Sequence, residues 1–346
     1  MQSFESKQTI AIDGMGGDNA PSAVFKGLSR LDRCGYHFLI FGNQKILVKH
    51  SYLLSENVSH EIRHADDVVD AGMDVLSSLR SWKSSSMGMA IQAVQSGEAS
   101  AVVSSGNTGV FMALAKVILK TIEGIDRPAI ASVIPGKNGR MVCLDLGANA
   151  ECTEKNLVDF AIIGEVVAKA IFDKPNVKLA LLNIGSEKGK GSRLVKKTSE
   201  ILEKLFDNYV GFVEGDDFGR GDVDVIVTDG FTGNVALKAI EGTAKYISSE
   251  LKEALSSSFL AQFGAMLAIS AIDSLKRKFD PRLYNGAILA GLNGVVVKSH
   301  GNSDEIGFAN AVKFTIDILR NDIFSCIRGQ LDRSKILHAS VCCEGG

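Results

Sequence analysis

Two segments of this chain repeat one pattern at a constant offset of 124 residues: Val102-Val103-Ser104-Ser105-Gly106-Asn107-Thr108-Gly109 and Ile226-Val227-Thr228-Asp229-Gly230-Phe231-Thr232-Gly233. Each reads as an apolar strand, a turn of the form (S/D)-G-x-T-G, and the start of a helix. Such a turn leaves backbone N–H groups free at a helix N-terminus, offers a threonine hydroxyl as a cap, and lets an anion come close over glycine. Phosphate or another oxyanion is the natural occupant; the plainer alternative is two well-capped connections. The first apolar run feeds Asp13-Gly14-Met15-Gly16-Gly17-Asp18-Asn19. This is not a dinucleotide fingerprint, because Asn19 stands where the third glycine belongs, and no P-loop pattern occurs in the chain. Asp13, Asp18, Asp145 and Asp229 all fall at strand ends and read more simply as acceptors for turn N–H groups than as metal ligands.

A second cluster runs from Asn183 through Gly185, Lys188, Gly189, Lys190, Gly191 and Arg193 to Lys196 and Lys197, with five basic residues against one glutamate between 186 and 197. A solvated charged face is the bland reading; its place directly after an apolar run favours a role at a site. Lys298-Ser299-His300-Gly301 follows another apolar run, and His300 is the only one of six histidines at such a position, which makes it the candidate for proton transfer near neutral pH. Neither the histidines nor the six cysteines show metal-ligand spacing, so no metal is expected and the cysteines read as reduced thiols.

Positioning these residues falls to a series of near-continuous apolar runs: TIAIDG, YHFLIFG, SAVVSSG, MVCLDLG, VKLALLNIG, VDVIVTDG and NGVVVKSHG. Strands of this kind are buried on both faces. Helical patterns lie between them, over 20–32, 87–95, 108–120, 156–172 and 234–255. The alternation predicts an α/β fold with a mostly parallel sheet, in which ligands bind beyond the carboxyl ends of the strands. Twelve of the 35 glycines (14, 16, 17, 106, 109, 147, 185, 189, 191, 230, 233 and 301) are expected to converge there on one anion-handling crevice. A single domain over 1–327 is expected, in two closely joined halves with a boundary near 173–176, a helical hairpin over 250–280 and a tail over 328–346.

The chain has 346 residues, 45% of them hydrophobic, with 38 Lys+Arg against 40 Asp+Glu, so disorder and blanket nucleic-acid binding are excluded. The start MQSFESKQ lacks a secretion signal, and the longest apolar stretch, 259–272, is too short to span a bilayer. A cytoplasmic location is the expectation. The apolar residues Phe259, Leu260, Phe263, Met266 and Leu267, followed by Lys276-Arg277-Lys278, suit a dimer contact, an interfacial membrane contact or plain core.

In order along the chain, AIDGMGGDNAP, SSSMGMAIQAVQSGEASAVVSSGNTG, IEGIDRPAIAS, LDLGANAEC, LLNIGSEKGKG, DVIVTDGFTGNVALKAIEG and YNGAILAGLNGVVVKSHG resemble the PlsX family of phosphate acyltransferases over roughly 8–325. The tail with Cys342-Cys343 matches nothing in that pattern. The resemblance implies transfer of a fatty acyl group from acyl-(acyl carrier protein) to inorganic phosphate, giving acyl-phosphate for phosphatidic acid synthesis without a cofactor. It also implies a homodimer with a Rossmann-like α/β/α fold akin to isocitrate dehydrogenase and phosphotransacetylase, cytoplasmic, peripheral at the membrane and handing its product to a glycerol-3-phosphate acyltransferase. The family's catalytic lysine and asparagine fall on Lys190 and Asn234. His300 is the candidate to protonate the leaving thiolate. The turn of Ser105, Gly106, Asn107, Thr108 and Gly109 is expected to hold phosphate and that of Asp229, Gly230, Thr232, Gly233 and Asn234 the thioester, an assignment open to reversal. Asp13, Gly16, Gly17 and Asn149 complete the expected substrate contacts, and Lys188, Arg193, Lys196 and Lys197 the docking patch for the acidic carrier. A phosphotransacetylase-like use of acyl-CoA, a nicotinamide-dependent dehydrogenase and a non-catalytic scaffold are the rival functions.

Overall fold

The computed structural model describes residues 8–331 apart from 32, 33, 70, 71, 74, 279 and 324. The tail beyond Leu331, with its cysteine pair, and the side chains of the 276–278 basic run lie outside the described residues.

Eleven strands form one sheet: β1 Thr9–Asp13, β2 His37–Gly42, β3 His60–His64, β4 Ala101–Ser104, β5 Ala129–Pro135, β6 Arg140–Leu144, β7 Leu179–Leu182, β8 Tyr209–Val213, β9 Val225–Val227, β10 Ala287–Ala290 and β11 Val295–Lys298. Their order is β3-β2-β1-β4-β11-β10-β5-β6-β9-β7-β8. The first five are mutually parallel, as are β6, β9, β7 and β8. Three antiparallel pairings, β11 with β10, β10 with β5, and β5 with β6, join these two blocks, which therefore run in opposite senses.

Side-chain alternation along the central strands builds a core on each face. Ile10, Ile12, Val103 and Val297 point to one side, where they meet helices Ser22–Ser29, Glu154–Phe172 and Glu305–Arg320. Ala11, Val102 and Val296 point to the other, against helices Ser86–Gln95 and Thr108–Leu119. The result is the expected three-layer α/β/α arrangement. Residues 173–176 form a turn between helix Glu154–Phe172 and β7 of the second block, opened by Asp173 in the left-handed conformation. The halves are set by strand sense, because β11 returns to the first block late in the chain.

Outside the layers stands a long helix, Gly230–Ser256, followed by helices Phe259–Leu267 and Ile269–Lys278. Only Gly230 and Gly233 of the long helix are buried. The hairpin is not core: Phe259, Leu260, Met266 and Leu267 are each at least 60% exposed, and Phe263 is half exposed.

Candidate active site

Glycines 16, 17, 106 and 301 meet in the first block and glycines 147, 230 and 233 pack together in the second, while glycines 185 and 191 pack within their own loop. In the first block, the turns after β1, β4 and β11 meet. Gly17 packs so closely that a Cβ there would lie 2.8 Å from the Ser105 Cβ and 2.9 Å from the Gly301 carbonyl, and Asp18 N–H donates to that same carbonyl. Gly16 is required by proximity as well, since a Cβ would collide with the Asp13 carboxylate and approach Gly106 N to 2.8 Å. Asp13 itself is 1% exposed and accepts from Ser86 Oγ and Ser104 Oγ, both at 2.7 Å, and from Met15 N–H. Burial raises its pKa and the serine bonds offset part of that. With both oxygens engaged, it ties β1 to β4 and to helix Ser86–Gln95.

The helix Thr108–Leu119 begins here. Its cap is the Asn107 side chain, which accepts from Val110 N–H at 3.1 Å, and not the threonine hydroxyl expected from the sequence. Thr108 and Gly109 are exposed, and their N–H groups have no intrahelical acceptor. Ser105 is 5% exposed, and its Oγ is the one buried side-chain polar atom without a hydrogen-bond partner among the described residues.

On the adjoining strand lies a group that the sequence placed beside His300 but did not single out. Lys298, in register with Ser104, is 7% exposed, and its Nζ donates to the Ser299 carbonyl. Burial pulls its pKa down to about 8 against the opposing pull of Asp13 and Asp18. His300 stands at the rim, its backbone N–H held by Asn285 Oδ1 at 3.0 Å. Partial burial lowers its pKa, with Glu241 raising it and Lys238 and Lys298 lowering it. Burial therefore favours the neutral form of the imidazole.

The second cluster repeats the first on the opposite-running block. Asp145, at the end of β6, is fully buried and accepts from the N–H groups of Ile130, Gly147, Ala148 and Asn149 and from Asn149 Nδ2. Asn149 spends its other amide hydrogen on the Pro128 carbonyl and its own carbonyl on Gly230 N–H. It positions the turn after β9, with both amide hydrogens engaged. Gly233 presses on the Asp145 carbonyl, where a Cβ would lie 1.9 Å away. Asp229 caps helix Gly230–Ser256 through Thr232 N–H and also accepts the Thr232 hydroxyl, each at 2.8 Å. Asn234 is exposed and makes no side-chain hydrogen bond among the described residues; a Cβ at Gly147 would sit 3.5 Å from it.

Lys190 comes from the loop after β7, on the same block as Asn234. Its Nζ pairs with Glu187 at 3.1 Å in an exposed position, while its carbonyl accepts from Asn183 Nδ2. The docking patch is partly neutralised: Lys188 pairs with Glu203 and Lys197 faces Glu154 at 3.9 Å, whereas Arg193 and Lys196 carry no ion pair among the described residues. Near Gly230, burial pushes the Cys152 thiol up to about 11, so it is no ready nucleophile. Among the described residues no group of three His, Cys, Asp or Glu is placed to hold a metal ion. What links the clusters is the long helix, whose residues Lys238 and Glu241, one to two turns beyond Asn234, act electrostatically on His300.

Two opposite-running parallel blocks, each with a glycine turn that opens a helix, define an α/β protein with two exposed helix N-termini at strand ends. A phosphotransacetylase from Streptococcus pyogenes shares this fold, with a TM-score of 0.61 at 19% identity over 90% of this chain and 94% of that one. The family described as fatty acid synthesis protein matches residues 8–326. A phosphate acyltransferase from Rhodospirillum rubrum is 47% identical over 96% of this chain and 97% of its own, and one from Paramagnetospirillum magneticum 44% identical over 94% and 95%. The chain belongs to the PlsX family of phosphate acyltransferases and is an acyltransferase.

Proposed function

We propose that the chain moves a fatty acyl group from the thioester of acyl-(acyl carrier protein) to inorganic phosphate, yielding acyl-phosphate that feeds phosphatidic acid synthesis. The observation that carries this reading is the asymmetry of the twin turns. The Ser105 to Gly109 turn is capped by a neutral asparagine and flanked by a buried lysine, a setting that suits a dianion. The Asp229 turn carries an acidic cap and an exposed Asn234, a setting that repels phosphate yet offers a neutral amide donor to a thioester oxygen.

In the reaction a phosphate oxygen attacks the thioester carbon, and negative charge develops on the carbonyl oxygen, which Asn234 N–H stabilises. Collapse of the tetrahedral species breaks the C–S bond and expels the carrier thiolate. The hydrogen of the attacking phosphate passes to that sulfur, and neutral His300 is suited to relay it, taking the proton before giving it up. Lys190 supplies positive charge beside the acyl-transfer wall. Holding both reactants in one crevice contributes the entropic part of the acceleration.

Arg193 and Lys196, free of ion pairs among the described residues, support docking of an acidic carrier. Phe231, Val235, Ile240, Tyr246, Ile247 and Leu251 leave the long helix with exposed apolar side chains, which supports a homodimer. No helix among the described residues is long and apolar enough to cross a membrane. The exposed hairpin supports peripheral contact, where a cytoplasmic enzyme would deliver its product to a glycerol-3-phosphate acyltransferase. Kinetics of Thr108→Val test the assignment of the walls: the KM for phosphate rises while that for acyl carrier protein stays put. A rise confined to the carrier's KM means the walls are exchanged.

A further inference from the structure

The turn that carries His300 is held by a residue from a different stretch of the chain. Asn285 lies just before β10, where the chain returns to the sheet after the long helix and its hairpin. Its Oδ1 accepts the His300 backbone N–H at 3.0 Å, and its Nδ2 donates to Ser299 Oγ and to Ser303 Oγ, both at 2.9 Å. Those two hydroxyls lie 3.0 Å apart and share a hydrogen bond, while Ser303 N–H closes the turn on the His300 carbonyl at 3.1 Å. Ser299 is fully buried, so its hydroxyl depends on these partners. The base of this clasp is anchored in turn. Arg282 pairs with Asp280 and with Asp304, the N-cap of helix Glu305–Arg320, and its carbonyl accepts from Asn310 Nδ2 at 2.9 Å. Both amide hydrogens of Asn285 are therefore spent on the turn, and what the side chain controls is where the neighbouring imidazole stands.

We propose that Asn285 is a positioning residue, its carboxamide fixing the His300 turn and with it the orientation of the imidazole. This rests on the reading of His300 as the proton relay and adds the residue that aims it. The groups that act on the ring are Glu241 and Lys238 on the long helix and Lys298 on β11, with the Asn302 side chain bonding it inside the turn. A ring released from the clasp leaves that setting for water.

The test uses the full-length chain and the variants Asn285→Ala, Asn285→Asp, His300→Gln and the double variant Asn285→Ala with His300→Gln. Asn285→Ala folds, because Ser299 and Ser303 keep each other as partners, and lowers kcat on the order of 10-fold with both KM values unchanged. In the His300→Gln background the same substitution costs nothing further, the non-additivity expected of two residues that act as one. Asn285→Asp keeps an acceptor for the His300 N–H and retains most of kcat. Its added negative charge favours the imidazolium, so the acid limb of kcat moves to higher pH. The His300 ring is also titrated by NMR: in Asn285→Ala its pKa climbs towards the ordinary 6.5, since burial is what lowers it. Wild-type kcat in Asn285→Ala with an unmoved titration, or an equal loss with and without His300, overturns the proposal. Should His300→Gln keep wild-type kcat while the His300 titration still moves in Asn285→Ala, the clasp stands and the relay reading falls.

Discussion

At the residue scale, the side chains divide by burial into those that build the turns and those left exposed on them. Asp13, Asp145 and Asn149 are spent on their own loops and neighbouring strands, whereas Thr108, Gly109, Lys190 and Asn234 are exposed. His300 belongs to the second set, and its lowered pKa gives a signed expectation. The relay requires a neutral ring, so kcat is steady above the ordinary histidine value of 6.5 and falls only as pH drops through the lower value. In His300→Gln that acid limb disappears and the remaining rate is flat; an unchanged limb in the variant removes the relay. The sequence exposed His300 because a lone histidine at a strand end is conspicuous. It did not expose Lys298, which reads as the last residue of an apolar VVVK run, nor the orphaned Ser105 hydroxyl. Burial and missing partners are properties of neighbours brought from 90 to 290 residues away, as the contact of Ser104 with Asp13 and that of Gly17 with Gly301 illustrate.

At the scale of elements, the working unit is a strand, a glycine turn and a helix, used once in each block and tied down by a buried aspartate from the neighbouring strand. Gly233 carries the tightest packing of the second unit. Gly233→Ala is expected to destabilise the fold by on the order of 3 kcal/mol and to displace Asn234, because its Cβ meets a backbone carbonyl that has nowhere to go. Gly189→Ala, with nothing within 4 Å, leaves stability unchanged. Chemical denaturation of the pair checks both, and equal midpoints contradict the packing argument. The apolar strands with terminal glycine and the twin turns were legible because period and punctuation are local. β3, reading His-Glu-Ile-Arg-His at the sheet edge, β8 at the other edge, and the antiparallel β5 and β10 were not, since their place depends on pairing rather than on apolar run length. The same is true of the cap: a threonine and an asparagine both suit a helix start, and only the geometry assigns it to Asn107.

For the whole molecule, the reversal of sense between the two strand blocks decides the layout. It divides the strand-end turns between two blocks, and the long helix carries Asn234 at its start and Glu241 within electrostatic reach of His300. The same helix leads out to the exposed hairpin. Phe263→Glu is expected to abolish cosedimentation with vesicles of anionic lipid while leaving turnover of soluble substrates within a few-fold of wild type; retained vesicle binding rules out insertion at that segment. The central claim, acyl transfer from a carrier thioester to phosphate, is tested most directly by incubating the purified chain with acyl-(acyl carrier protein) and inorganic phosphate and measuring acyl-phosphate. Formation of acyl-phosphate in step with free carrier, faster than with acyl-CoA at matched concentration and cut on the order of 10²-fold or more in Lys190→Ala, is the predicted result. No acyl-phosphate from the wild type, or an undiminished rate in Lys190→Ala, contradicts it.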